Sequence, residues 1–338
     1  MRAVVVERPG VARLSRLEVH EPGPGEVMVS VAAAGICGSD LEILRGLRPE
    51  PFVRYPIVPG HEWAGVVASV GAGVRGVSVG DRVVAEGFRS CGVCDRCREG
   101  RTNLCLSGYA ETGFTHQGAF AEYISVPARL VHKLPADADL QAAALLEPAA
   151  CVAEGMLSAE LRPGLRFAVV GAGTLGLLAV SVLSLTTPSR LAVVGSRTPR
   201  LALARRLGAT ETHDVNAGPL DSLHGTFDLV FEAANRPEAA VTALQLARRG
   251  GTVVLEGISG TTAPAIRADL ITLKHLHVHG TFGASGAAWT YAVQLYTEGQ
   301  LPLSELISHR FALEDFQSAF DTLEDRAGAA VKVQLLPR

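Results

Sequence analysis

The chain has 338 residues, 48% of them hydrophobic and 19% charged, with a formal net charge of −3. That length exceeds one ordinary core and suits two domains, and the near-neutral balance gives no electrostatic basis for binding nucleic acid or an anionic membrane. The most apolar stretch, from Phe167 to Leu185, is broken by Gly171, Gly173 and Gly176, so nothing approaches the roughly 20 apolar residues of a membrane span. Glu7 places an acid too early for a secretory leader, and a cytoplasmic protein is expected.

In chain order, the first 150 residues read as short strands with Gly/Pro punctuation. Strand-like runs cover 27–31 and 65–70, Gly80-Asp81-Arg82-Val83-Val84 follows a turn, and turn clusters such as Glu21-Pro22-Gly23-Pro24-Gly25 separate them. From about residue 165 the pattern changes. Strands are predicted over 166–171, 191–195, 227–232, 251–257 and 275–280, with helices over 174–185, 199–207 and 238–247 between them. Such alternation implies right-handed crossovers and a parallel, doubly wound α/β sheet. Amphipathic helices follow over 289–298 and 313–323, and a last strand over 330–335 is expected to rejoin the first domain. The expected organisation is a β-rich catalytic domain of residues 1–150 and 286–338 around a dinucleotide-binding domain of 151–285, with the active site in the cleft between them.

Val170-Gly171-Ala172-Gly173-Thr174-Leu175-Gly176 places a G-x-G-x-x-G between a strand and a helix. Gly171, Gly173 and Gly176 let the backbone turn and approach a pyrophosphate, and the N–H groups around Thr174 and Leu175 open the helix that receives it. This is a Rossmann-type site. The next strand ends in Gly195-Ser196-Arg197, where an NAD site would carry an acid for the ribose 2′-hydroxyl. With no carboxylate to repel a 2′-phosphate, a hydroxyl and a guanidinium at Ser196 and Arg197 favour NADP(H) over NAD(H).

Cys91, Cys94, Cys97 and Cys105 form C-x2-C-x2-C-x7-C within one short loop. This spacing suits a closed tetrahedral zinc site. A reducing compartment opposes disulfides, and the position of the fourth cysteine opposes an iron–sulfur cluster.

Two further segments are Gly35-Ile36-Cys37-Gly38-Ser39-Asp40 and Pro59-Gly60-His61-Glu62-Trp63-Ala64-Gly65. Together with the cysteine lobe and the glycine loop, they resemble the zinc-containing medium-chain dehydrogenase/reductase family along the whole chain. The resemblance implies a GroES-like catalytic domain and a second, open-site zinc held by Cys37 and His61. Glu62 matches the adjacent acidic position. Glu147 stands where other members carry a second cysteine, as in the sorbitol and threonine dehydrogenase branch, and either acid is a candidate ligand. Ser39 matches the hydroxyl that relays the alcohol proton. At Glu42 many relatives place a histidine, so either Glu42 carries the proton outward or it leaves through cofactor hydroxyls and water.

The same alignment puts Glu86 and Gly87 where bulky residues narrow an alcohol pocket, with Phe114 and His116 as further walls. A polar pocket rewards a polar substrate, so the expected substrate is a polyol, sugar, cyclitol or amino alcohol. Two zinc ions per chain and a homodimer or homotetramer are expected. The alternative is a zinc-stabilised, nucleotide-binding scaffold without catalysis, against which Ser39 and the intact glycine loop argue.

Overall fold

The computed structural model describes residues 1–258, 266–325 and 330–338. One unit is Met1–Ala150 with Ala284–Gly299 and Leu303–Arg338; the other is Cys151–Gly283 with Gln300–Pro302.

In the first unit, strands β1 (Arg2–Arg8) and β2 (Val11–Arg16) form a hairpin. They are followed by β3 (Glu26–Ile36), helix α1 (Gly38–Arg45), β4 (Glu62–Val70), β5 (Arg82–Ala85), α2 (Asp95–Arg98), β6 (Tyr123–Pro127), β7 (Val131–Lys133) and α3 (Leu140–Ala143). Strand β3 organises this unit because alternate residues Val27, Val29, Val31 and Ala33 are fully buried, the period-two pattern of a strand with one face on a core. It pairs antiparallel with both β4 and β6. The β3–β4 register sets Gly35 opposite Glu62. Cys37, two residues beyond Gly35, and His61, one residue before Glu62, therefore leave the sheet at the same end.

Helix α4 (Leu146–Leu157) precedes the second sheet, which contains β8 (Arg166–Val170), β9 (Arg190–Gly195), β10 (Glu211–Asp214), β11 (Phe227–Glu232), β12 (Ala247–Leu255) and β13 (His277–Gly280). All its pairs are parallel, in the order β10-β9-β8-β11-β12-β13, the order of a dinucleotide-binding sheet. Helices α5 (Thr174–Ser184), α6 (Thr198–Arg206), α7 (Pro237–Leu246) and α8 (Ala268–Lys274) belong to the same unit. The chain then returns to the first unit with α9 (Gly286–Thr297), β14 (Ile307–Ala312), α10 (Phe316–Glu324) and β15 (Lys332–Leu336). β15 lies between β14 and β3, and Val333 pairs with Ile36.

The predicted α/β class is thus present: a Rossmann sheet plus a β-rich unit. Strand 227–232 falls where expected, whereas the strand predicted over 251–257 begins at Ala247 because β12 already pairs with Phe227 there. The helix predicted from 313 starts at Phe316, after a 3-10 turn over Leu313–Asp315. β10 and α8 lie outside the sequence expectations. No described helix is long and apolar enough to cross a membrane.

Candidate active site

The end of β3 and the start of β4 bring Cys37, His61 and Glu62 together, with one donor atom from each within 4.8 Å of the others. Asp40 fixes this arrangement. It occupies the first turn of α1, where its Oδ2 accepts the Cys37 backbone N–H at 2.8 Å and its Oδ1 accepts the Gly60 N–H at 3.2 Å. Oδ1 also faces His61 Nδ1 at 3.6 Å. One fully buried carboxylate therefore ties together the two loops that carry the donors.

Behind them lies a buried ion pair. Lys332 Nζ on β15 donates to both Glu62 oxygens, at 2.7 and 2.5 Å, and to the Ile36 carbonyl at 3.3 Å. Gly35 makes room for it: a Cβ at that position would lie 2.3 Å from Glu62 Oε2 and 3.3 Å from Lys332 Cδ.

The electrostatics of this group are those of a cation-binding site. Burial disfavours the His61 imidazolium and the Lys332 ammonium, yet Asp40 and Cys37 around the first, and Glu62 and Cys37 around the second, raise both pKa values. The acids rise as well. Burial, with Glu62 and Glu111 nearby, lifts Glu147 to about 7, and burial lifts Glu111. Acids and bases that all shift upward share a negative potential. A thiol, an imidazole and carboxylates in such a potential fit a divalent zinc ion. Glu147, in the first turn of α4, is electrostatically coupled to this group but stands outside the 4.8 Å set.

Ser39 is half-buried in the first turn of α1, two residues beyond Cys37. Glu42, one turn further, is bound by Arg48 at 3.1 Å. The Arg48 guanidinium lies 4.6 Å above the Phe114 ring, which in turn packs 4.8 Å from the His61 ring. Phe114 thus forms a wall against His61. His116 hydrogen-bonds to Thr115 Oγ1 at 3.2 Å, and burial lowers its pKa. Glu86 faces His132 Nε2 and Thr102 Oγ1, each at 3.5 Å, and Thr102 Oγ1 also receives the Gly286 N–H. Glu86 therefore helps to connect the cysteine lobe to the start of α9.

In the lobe, all four cysteines are free thiols. Sulfur separations are 3.5 Å for Cys94–Cys97 and 3.9 Å for both Cys91–Cys97 and Cys94–Cys105. Four thiolates around zinc at about 2.3 Å would stand about 3.8 Å apart, whereas disulfide sulfurs would be bonded at about 2.05 Å. Backbone N–H groups of Cys94 and Leu106 point at the sulfurs of Cys91 and Cys94. Such N–H donors hold the Cys91 thiol down to about 6, while burial pushes Cys97 up to about 11.

In the second unit, Gly171 adopts φ +107°, and a Cβ there would meet Ala233 and Ala234 at 2.9 Å. A Cβ on Gly176 would lie 1.8 Å from the Gly171 carbonyl, so this glycine lets α5 close onto the turn. Gly173, the N-cap of α5, has nothing within 4 Å of its Cβ position. The face where a pyrophosphate would approach Gly173, Thr174 and Leu175 is therefore open. Ser196 is exposed after β9, and Arg197 caps α6. Arg200 adds a guanidinium that was not singled out from sequence; burial and the neighbouring Arg197 lower its pKa to about 10.

Asp40 and Lys332 also escaped sequence reasoning. Asp40 had a local signal, an acid three residues after an N-cap position. Lys332 is one of only three lysines and lies in a mostly apolar strand.

Comparisons with known proteins agree with this geometry. The alcohol dehydrogenase GroES-like domain family matches residues 23–136, and the glucose dehydrogenase C-terminus family matches 141–333. An L-threonine 3-dehydrogenase from Bacillus velezensis is 34% identical over 346 residues, covering 100% of this chain and 99% of that protein. A zinc-binding dehydrogenase from Sinorhizobium meliloti, solved bound to NADP, superposes with a TM-score of 0.91 at 32% identity, with 99% of each chain covered. An Escherichia coli alcohol dehydrogenase complexed with NADH also gives 0.91, at 30% identity and 99% coverage of each. The chain belongs to the zinc-containing medium-chain dehydrogenase/reductase family, as an NAD(P)-dependent alcohol dehydrogenase.

Proposed function

We propose that this chain interconverts a polar secondary alcohol (a polyol, sugar, cyclitol or amino alcohol) and its ketone, using NADP(H) in preference to NAD(H). The observation that carries this reading is the group of half-buried Cys37 with buried His61 and Glu62, whose Cys37 stands two residues before Ser39. Cys37, His61, Glu62 and Glu147 would hold one zinc ion, and Cys91, Cys94, Cys97 and Cys105 a second, giving two per chain.

When bound at the first group, zinc supplies Lewis acidity that brings an alcohol's pKa towards neutrality. The dinucleotide supplies the hydride acceptor. The chain's own residues do the rest. Asp40 keeps Cys37 and His61 in place, and Lys332 neutralises Glu62. Ser39 relays the alcohol proton outward, either to Glu42 or through cofactor hydroxyls and water, and Glu42 also holds Arg48 over Phe114. Phe114 keeps water from the His61 face, which strengthens every charge interaction there. In the second unit, Gly171, Gly173, Thr174, Leu175 and Gly176 receive the pyrophosphate. Ser196, Arg197 and Arg200 offer a hydroxyl and two guanidiniums to a 2′-phosphate. By analogy with the family, the working form is a homodimer or homotetramer.

The test is reduced-nicotinamide absorbance across polyols, sugars, cyclitols, amino alcohols and simple alcohols, each with NADP+ and with NAD+. Turnover of a polar secondary alcohol with NADP+ preferred is the expected result, and Arg197→Ala with Arg200→Ala should cut that preference at least about tenfold without lowering the NAD+ rate. A clear NAD+ preference in the unaltered protein would overturn the cofactor reading. Turnover confined to simple aliphatic alcohols would overturn the substrate reading.

A further inference from the structure

We infer that Glu111 is the specificity-determining residue of this site, recognising an ammonium or hydroxyl group on the carbon next to the reacting carbinol. The inference rests on the polar-alcohol reading above and narrows it.

Glu111 is only 5% exposed. It lies three residues before Phe114, on a segment that wraps the catalytic histidine: a Cβ on Gly113 would stand 3.1 Å from the His61 backbone nitrogen. A β-bridge between Phe88 and Glu111, and a 3.0 Å hydrogen bond from the Thr112 N–H to the Gly87 carbonyl, hold the segment against residues 87–88.

The two carboxylate oxygens differ in surroundings. Oε2 accepts a short hydrogen bond from the Tyr109 hydroxyl. Oε1 faces Gly87, where a Cβ would come within 3.4 Å. Among the described residues no Lys or Arg comes within 4.0 Å of Glu111, although buried carboxylates are usually paired with a cation. Glu111 is also outside the metal-competent set. His61 and Arg48 act on Glu111 electrostatically, but no described Lys or Arg pairs with it directly, and the missing side chain at Gly87 leaves space in front of one oxygen.

A donor on the substrate fits that oxygen. An acceptor that loses its water when the ligand binds discriminates against an analogue lacking the donor, because the acceptor is then left unsatisfied in the complex. A carboxylate is an anion, so a charge-assisted hydrogen bond from an ammonium is stronger than one from a neutral hydroxyl.

Three probes of nearly the same size separate the possibilities: 1-amino-2-propanol, 1,2-propanediol and 2-butanol. Calorimetry on the zinc-loaded full chain, with reduced nucleotide present so that no oxidation runs, should show the amino alcohol binding at least about tenfold tighter than 2-butanol, with the diol between them. Glu111→Gln should remove most of the preference for the amine and leave 2-butanol unchanged. Gly87→Ala, which fills the space before Oε1 while keeping the carboxylate, should narrow the same preference without a change in Tm; it decides the matter if Glu111→Gln does not fold. Equal binding of the three probes by the unaltered protein, or equal weakening of all three by Glu111→Gln, would overturn the inference. The selectivity seen without turnover of any secondary alcohol would instead sink the proposed function and leave Glu111 as a recognition group.

Discussion

The two metal-competent groups found among the described residues of the first unit are built on opposite plans. The cysteine lobe takes four identical donors from 15 residues of chain, Cys91 to Cys105, and orients them with nearby backbone N–H groups. The Cys37–His61–Glu62 group takes mixed donors from two strand ends and depends on residues far away in sequence, Asp40 on α1 and Lys332 on β15. A site made from one loop is closed and local, as structural zinc sites are, whereas a site meant to keep a position open must be held rigid from outside. On the proposed reading, the lobe would serve stability and the second group chemistry.

The sharpest way to break this comparison is to remove one donor from each. Cys37→Ser should lower turnover roughly a thousandfold, equivalent to the several kcal/mol that a Lewis acid supplies, and cost one zinc by elemental analysis with little change in Tm. Cys94→Ser should cost the other zinc, lower Tm and expose the lobe to protease. Equal effects on turnover and Tm from both variants would erase the division of labour.

A smaller effect probes the outside support. In the metal-free chain, Lys332→Met leaves the Glu62 carboxylate buried without its cation, which should destabilise the first unit by about 3–5 kcal/mol in denaturant unfolding. Lys332→Arg should recover part of that loss. Recovery by Met itself would show that the pair is dispensable.

The smallest effect is expected where no metal is involved. In the second unit Asp228 is mostly buried, yet hydrogen bonds from Arg166 and Arg248 hold its pKa well below the usual carboxylate range. A depressed folded pKa stabilises the fold above the unfolded value of 3.8 and ceases to do so as pH falls through the folded one. Asp228→Asn should therefore lose about 1.5–3 kcal/mol at pH 7. Its gap to the unaltered protein in a Tm-against-pH series should close below pH ~4. A gap independent of pH would point to packing rather than charge.

Much of this was legible in the sequence because it is local. The glycine loop, the cysteine spacing and the apolar strands β8 and β11 each signal within a few residues. β10 was not legible: Glu211-Thr212-His213-Asp214 is polar and half-buried, so its pairing with β9 comes from the tertiary fold. Lys332 and Glu62 are 270 residues apart, and no periodicity links them. The pocket wall was read as Glu86 and Gly87. In the structure the Gly87 Cβ position faces the Glu111 carboxylate, brought from another segment by a β-bridge to Phe88, while Glu86 faces His132 and Thr102.

The β3–β4 register has a consequence for how such an enzyme diversifies. Cys37 and His61 are placed by a hydrogen-bonded ladder, and a slip of one residue would move a donor by about 3.3 Å and turn its side chain to the other face. Insertions near 35–37 or 61–62 would thus be lethal to the chemistry. The segments carrying Arg48, Tyr109, Glu111 and Phe114 lie outside the named strands and are free to change length and composition. The scaffold separates an inheritance that must stay fixed from one that can drift, and new substrates can be acquired without rebuilding the reaction.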